Sequence, residues 1–244
     1  MLVHTTAIIL KSIDYGDSSK ILTVFSREDG KIALIAHSAK KPKSKFSGLI
    51  EVGHILDMVY YMKKSRSVQI LKEASFEEKT FNLRQNFEKM AISLSGLELI
   101  EQLLHENEVN KPLFNFTKIF LLWLNETDIQ PAKVFPYLQL RLIEIMGLGL
   151  QIKVPDNSGS SFYLNIEHGT LGTQAASSRS YKLTGRQFRY INKTMQSRSS
   201  SVFKIPFENG ELKELVTYLD RYLYFHVEGL RERKSDAIFE QLLN

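Results

Sequence analysis

Lysine is the residue type whose spacing in this sequence points most directly to chemistry. Lys31, Lys40, Lys41, Lys43 and Lys45 lie in one stretch with no acid among them. Pro42 and Ser44 interrupt the last four, and Ser38, Ser47 and Gly48 flank them, which is loop composition. Ammonium groups on such a loop neutralise phosphates as point charges without reading base sequence. The alternative is a loop whose charges only keep it in solution. Lys63, Lys64 and Arg66 follow a strand-like segment and would extend a basic patch. Phe46 sits inside the lysine loop, where it either stacks on a base, a contact worth about 1–3 kcal/mol, or anchors the loop. Tyr60 and Tyr61 are adjacent on a strand, so one faces outward if the other is core.

Catalytic patterns are missing. Gly48 and Gly53 have the glycine spacing of a phosphate-binding loop, but His54 and Ile55 stand where Lys and Ser or Thr are needed. Gly147 and Gly149 lack the third glycine of a dinucleotide fingerprint. The six histidines are scattered, with no i, i+4 pair for a helical zinc site, and Glu77 and Glu78 point to different faces. There is no Gly-x-Ser-x-Gly nucleophile motif. The chain is expected to be a binding protein rather than an enzyme, with no cofactor and no metal.

The 244 residues contain no cysteine, which removes disulfides, thiol nucleophiles and Cys-ligated zinc or iron–sulfur sites. A hydrophobic fraction of 43% with 24% charged residues excludes a largely disordered chain. Ile119 to Leu124 is the longest apolar run, too short for a membrane helix. The N-terminal residues lack a basic n-region and a cleavage site, so a cytoplasmic protein is expected. Net charge is +5, unevenly spread: residues 1–80 sum to +4, residues 81–150 to −2 and residues 151–244 to +3.

Two kinds of element must position these residues. Ala7 to Ile13, Ile21 to Ser26, Lys31 to Ala36, Ile55 to Met62 and Val68 to Ala74 read as strands bounded by turns such as Asp14-Tyr15-Gly16-Asp17. Five short strands at this size predict a small Greek-key barrel over residues 1–80. From Phe81 the period changes to that of helices. Leu83, Phe87, Met90, Leu94 and Leu97 mark one helix of about six turns. Pro112 and Pro131 open two more, the last ending at Gly147. Residues 148–182 read as an insertion, with a short hairpin around His168-Gly169. Thr184 and Gln187 match a capping box, a long helix runs from Glu211 to Val227, and Ser235 caps a final short helix to Leu243. The predicted class is α+β: an N-terminal five-stranded barrel, then a helical domain over 81–244.

The run AIILKSIDYGDSSKILTVFSREDGKIALIAHSAKKPKSKFSGLI, residues 7–50, resembles the N-terminal pattern of the RecO family of bacterial DNA repair proteins. The order is a first strand, an acidic turn, a strand ending in Phe-Ser, a Gly hairpin, a strand leading into Ala-Lys, and a basic loop. Gln69-Ile70-Leu71-Lys72-Glu73-Ala74 continues the match, with weaker echoes in Leu97 to Ile100, Leu140 to Gly149 and Lys234-Ser235. The resemblance implies an OB-fold barrel followed by a helical domain. It also implies a recombination mediator in gap repair that binds single- and double-stranded DNA, anneals complementary strands, engages the single-stranded DNA-binding protein SSB, and acts with RecR, with or without RecF, to help load RecA. A single-stranded nucleic-acid-binding protein without mediator activity is the competing class.

Two departures stand out. Many family members carry a four-cysteine zinc module where this chain has residues 148–182, so that zinc is not carried over. Many have Leu-Gln-Pro-Phe where this chain has Leu49-Ile50-Glu51-Val52, which places an acid beside the basic loop. DNA binding is expected from Lys31, Lys40, Lys41, Lys43, Lys45, Phe46, Lys63, Lys64 and Arg66. For the acidic, aromatic-ended SSB tail the third helix offers Phe135, Tyr137, Leu138 and Arg141, although Phe135 and Leu138 are equally readable as core.

Overall fold

A computed structural model describes residues 1–129, 131–153, 161–208 and 210–235. Packing groups them into two compact units, Met1–Thr127 and Asp128–Asn244. That division falls later than the change in composition at Phe81, because the first helices pack with the barrel rather than with the later helices.

The first unit opens with five strands: β1 (Leu2–Tyr15), β2 (Ser19–Ser26), β3 (Gly30–Ala36), β4 (Ile55–Tyr61) and β5 (Val68–Glu78). They close into a barrel in the order β1-β2-β3-β5-β4. This is the small five-stranded barrel expected from the strand pattern, and the OB-fold that the resemblance implies. All neighbours are antiparallel except β3 and β5, which pair in parallel through Ala33↔Val68, Leu34↔Gln69 and Ile35↔Ile70. Strand alternation sets the inside: Ala7, Ile9, Leu22, Val24, Leu34, Ala36, Leu56, Met58 and Tyr60 form its core. Register shifts in β1 after Ile9 and at Val59/Tyr60 against β5 supply the extra bend that closure of so few strands needs.

Three helices complete the unit: α1 (Asn82–Gln85), α2 (Phe87–Leu103) and α3 (Lys111–Glu126). The single six-turn helix expected from the leucine spacing is broken at Asn86. That residue is extended (φ −115°, ψ 119°), and its side chain accepts the Lys89 amide as the cap of α2. Asn110 caps α3 in the same way, with Pro112 in its first turn. Phe114 of α3 meets Phe25 of β2 edge-on at 5.3 Å.

Gly30 starts β3 with φ +70°. A Cβ there would stand 2.2 Å from the backbone oxygen of Glu108, in the segment joining α2 to α3. Any side chain would therefore be strained twice, by its own backbone and by that collision.

The second unit holds α4 (Val134–Ile145) after a 3-10 turn, then β6 (Gln151–Ile152), β7 (Phe162–Asn165), β8 (Thr170–Gly172) and β9 (Ser180–Leu183). It ends with α5 (Gly185–Gln196), a second 3-10 turn and α6 (Glu211–His226). The expected hairpin around His168-Gly169 is present as β7 and β8, within a four-stranded sheet of order β6-β8-β7-β9. The capping box of Thr184 and Gln187 is formed at the start of α5. The short helix expected after Ser235 lies outside the described residues.

Hydrogen bonds organise this sheet. Asn165, 3% exposed, donates from Nδ2 to the Gln174 carbonyl (3.3 Å) and accepts the Ala176 amide (3.0 Å), fixing the strand's return. Tyr222 donates to the Leu148 carbonyl (2.6 Å), and His226 Nε2 donates to the Ile166 carbonyl (2.9 Å). The residues here do not fit the zinc of the family: cysteine donors are absent from the sequence. Among the described residues no group of three or more His, Asp or Glu side chains is placed to hold a metal ion.

Two substitutions test this packing by urea denaturation. Gly30→Ala should cost about 2 kcal/mol or more, from the left-handed backbone plus the clash. Asn165→Ala should cost about 0.5–1.5 kcal/mol by removing its bonds to the Gln174 carbonyl and the Ala176 amide, the latter still donating to Ser180 Oγ.

Candidate nucleic-acid interface

The lysine loop occupies residues 37–54, joining the end of β3 to the start of β4. Ser38 turns the chain out of β3 with φ 58°. The loop then lays Ala39, Phe46 and Ile50 into the barrel core, with Phe46 only 2% exposed. Phe46 is therefore a loop anchor and not a stacking platform: its faces are spent on barrel side chains, and base stacking would have to pull it from the core. Burying a ring of this size holds the loop in one shape, so the neighbouring lysines point outward from a fixed backbone.

His54 fastens the loop's far end. Its Nδ1–H donates to the Leu49 carbonyl (2.8 Å), and the ring meets Phe76 at 5.1 Å and Phe81 at 5.9 Å, both edge-on. Nε2 is buried without a partner among the described residues. Burial holds the imidazole below the usual histidine range, against the opposing pull of the Leu49 carbonyl. Beside it Glu51, the acid that departs from the family pattern, pairs with Arg84 of α1 at 3.2 Å. Glu51 thus ties the loop to a helix instead of cancelling a lysine of the loop.

The lysines themselves divide. Lys41 and Lys43 are exposed, and neither has an ion-pair partner among the described residues. Lys45 is exposed too. It donates to the Lys72 carbonyl of β5 and lies 5.1 Å from the Phe46 ring centre, which leaves further N–H donors free. Lys40 is committed to Asp14 at 2.9 Å, and its ammonium holds that carboxylate below the usual range. Lys31 does not join the group. It stands at the start of β3, five residues of strand from the loop, and its Nζ donates to the Glu101 carbonyl in the last turn of α2 (3.0 Å). A cation there complements the helix C-terminus, a structural task.

Lys63, Lys64 and Arg66 are exposed on the β4–β5 turn. Because β5 runs parallel to β3 and begins opposite Ala33, this turn lies toward the start of β3, whereas the lysine loop leaves its end. Four residues of β5 separate Val68 from Lys72, about 13 Å at the usual strand rise. The two basic groups therefore flank one stretch of sheet.

That stretch carries an apolar row that no pattern in the sequence singled out. Outward-facing partners run Ile13↔Ile21, Ile21↔Ile35, Ile35↔Ile70, Ile70↔Tyr61 and Tyr61↔Leu2 across all five strands. Tyr60 is fully buried, and Tyr61 is 46% exposed. The alternation of the two tyrosines was readable in the sequence. The apolar row was not, since it exists only in the register between strands.

The candidate contact for an acidic, aromatic-ended tail is corrected by burial. Phe135 and Leu138 of α4 are fully buried, because they form the core of the second unit. Arg141 is 3% exposed and donates to Glu144 (2.7 Å) and to the Ser197 carbonyl (2.6 Å). Tyr137 packs against Phe203 at 5.3 Å, under the Arg141 guanidinium. Tyr137 is half-buried, and a peptide cannot reach Phe135 or Leu138 without opening the fold.

A closed OB barrel with a plugged, lysine-bearing loop, followed by a helical unit with a small sheet, defines an OB-fold protein of two units. Its family is given by comparison. Residues 1–79 match the profile described as Recombination protein O N terminal, and residues 84–236 match Recombination protein O C terminal. The chain belongs to the recombination protein O (RecO) family. A protein of Chloroherpeton thalassium named DNA repair protein RecO is 29% identical over 258 residues, covering 100% of both chains. One of the same name from Pelodictyon phaeoclathratiforme is 26% identical, covering 100% of this chain and 99% of its own. Another, from Salinibacter ruber, is 33% identical over 147 residues, covering 60% and 56%. No helix among the described residues is long and apolar enough to cross a membrane.

The His54 anchor should leave a pH signature. A folded-state pKa below the unfolded value of about 6.5 means that His54 supports the fold above that pH and opposes it below. Stability should fall as pH drops through about 6.5, by at most about 1.4 kcal/mol per unit from this one group. His54→Asn keeps a donor for the Leu49 carbonyl and removes the titration. Urea midpoints at pH 7.5 and 5.5 should show the stability gap between wild type and variant narrowing at the lower pH.

Proposed function

We propose that this chain is a DNA repair protein of the mediator class, which binds DNA on its barrel and anneals complementary strands. The observation that carries the reading is the fixed loop that holds Lys41, Lys43 and Lys45 in solvent around a buried Phe46. Annealing requires two like-charged strands to approach while their base edges stay free. Point charges on a rigid loop neutralise phosphate without gripping bases, and lysine suits this better than the forked guanidinium.

The outer face of the barrel supports a path for a single strand. Phosphates would follow the lysine loop and the turn with Lys63, Lys64 and Arg66, and bases would lie on the apolar row around Tyr61 and Ile70. Double-stranded DNA would engage the loop lysines alone. Lys40 contributes less than its neighbours, since Asp14 competes for it, and Lys31 contributes nothing directly.

Family membership extends the proposal to partners. Contact with SSB and RecR, and support of RecA loading with or without RecF, belong to a mediator working in the cytoplasm on DNA gaps. The SSB contact is not assigned to Phe135 and Leu138, which are core. Nothing in the arrangement calls for bond-making chemistry, and the proposed activity is not enzymatic.

Salt titration of binding to a single-stranded oligonucleotide provides the test. Each phosphate contact contributes about 0.7 to the slope of log K against log salt. The triple change Lys41→Ala, Lys43→Ala and Lys45→Ala should lower the slope by about two and slow annealing of complementary strands. Tyr61→Ala should weaken single-strand binding with little change in slope. An unchanged slope in the triple variant would remove the loop from the interface, and binding without faster annealing would leave a plain strand-binding protein.

A further inference from the structure

The longest acid-free stretch of this sequence is not in the barrel. Between Glu167 and Glu208 there are seven basic residues, Arg179 to Lys204, and no Asp or Glu. Part of it forms β9, and β9 packs on α6 through a row of rings and guanidinium groups.

On α6 the residues Tyr218, Arg221 and Phe225 recur at helical spacing and share one face. Tyr181 of β9 stacks on Tyr218, with centres 4.8 Å apart and planes 29° from parallel. Arg221 lies over the Tyr181 ring at 5.0 Å, and Arg179 lies over Phe225 at 5.2 Å. Arg221 and Lys182 are exposed without a carboxylate partner among the described residues. Arg179 is only loosely paired with Glu167, at 3.5 Å. Phe225 is 43% exposed. Exposed cation–π pairs stabilise a fold by only about 0.5–1 kcal/mol each, so the packing of the unit does not account for two of them beside an exposed ring.

We infer that this face of the second unit is a second site for single-stranded nucleic acid. The inference rests on the strand-binding reading of the barrel and adds where a second strand is held. The platforms suit bases: Arg221 over Tyr181 and Arg179 over Phe225 are two ring–guanidinium pairs, and Arg221 and Phe225 are four residues, about 6 Å, apart along α6. Each guanidinium on a ring offers one open π face for a base and N–H edges for the adjoining phosphate. The acid-free stretch supplies charge complementary to a polyanion. An acidic peptide would match the charge, but its aromatic anchor needs a recess, and these stacked rings present a flat surface. A protein that anneals strands must hold two at once, and each unit then carries one.

The test uses the full chain and two non-complementary oligo-dT strands, one with a donor dye and one with an acceptor. The wild type should bind two strands and bring the dyes within transfer distance. The change Arg179→Ala with Arg221→Ala, at exposed positions, should reduce the stoichiometry to one and abolish transfer, with second-site affinity down about tenfold or more. The barrel variant lacking Lys41, Lys43 and Lys45 should also lose one strand but keep the one that the arginine variant loses. Arg221→Lys keeps the charge and removes the planar group, and should recover only part of the second-site affinity. A wild type that binds a single strand, or an arginine variant that still binds two, overturns the proposal. So does a face that binds an acidic, aromatic-ended peptide and no oligo-dT. If instead the barrel variant loses nothing while the arginine variant loses its strand, the barrel reading fails and this one stands.

Discussion

The parallel pairing of β3 with β5 is the constraint on which the rest of the first unit depends. Closing five strands through that pair inserts β5 between β3 and β4, although β4 comes next in the chain. The β3–β4 connection must therefore pass β5, and it does so as the long segment 37–54. A segment of that length is stable against a barrel only if it buries something. Phe46, Ile50 and Ala39 are what it buries, and they join the same core as Leu34 and Tyr60. One topological requirement thus produces a long loop, a rigid one, and an outward display of lysines.

The same principle separates working charges from structural ones. Lys31, Lys40 and Lys45 look alike in the sequence. In the fold, Lys31 caps α2 through the Glu101 carbonyl, Lys40 joins the loop to the β1–β2 turn through Asp14, and Lys45 reaches the Lys72 carbonyl of β5. Only Lys41 and Lys43 of the group hold no such bond among the described residues. A cation already answered by a carboxylate or a helix end has less to offer a phosphate, and competition of this kind grades the members of a one-signed cluster. Arg141 is the clearest instance in the second unit, where Glu144 and Ser197 occupy a guanidinium that its sequence setting left looking free.

The second unit shows how a segment that bears zinc in many family members is held without cysteine. Four short strands cannot make an independent core. They are held by side-chain hydrogen bonds, from the Asn165 amide within the sheet and from the Tyr222 hydroxyl and the His226 imidazole on α6. Anchoring the sheet to a helix also aligns its edge strand with that helix, and the arginine–aromatic row at β9 and α6 is a product of the alignment. A metal would fix four points of the segment, whereas these bonds fix it against α6, the helix that carries half of the proposed second site.

By itself the sequence determined the classes of element and their order. Strand alternation, glycine turns, the proline-opened helices and the Thr184 capping box are local signals, and each acts within a few residues. It also determined what chemistry is closed to the protein, since a residue type that is absent cannot act. Two readings needed the tertiary structure. Phe46 is core and Tyr61 is surface, and Phe135 and Leu138 lie inside, because burial depends on what packs from distant parts of the chain. The Ile–Tyr row across the barrel and the stacked Arg221, Tyr181 and Tyr218 join residues separated by tens of positions. Such neighbours are created by strand register and by helix-on-sheet packing, and neither leaves a periodicity in the sequence.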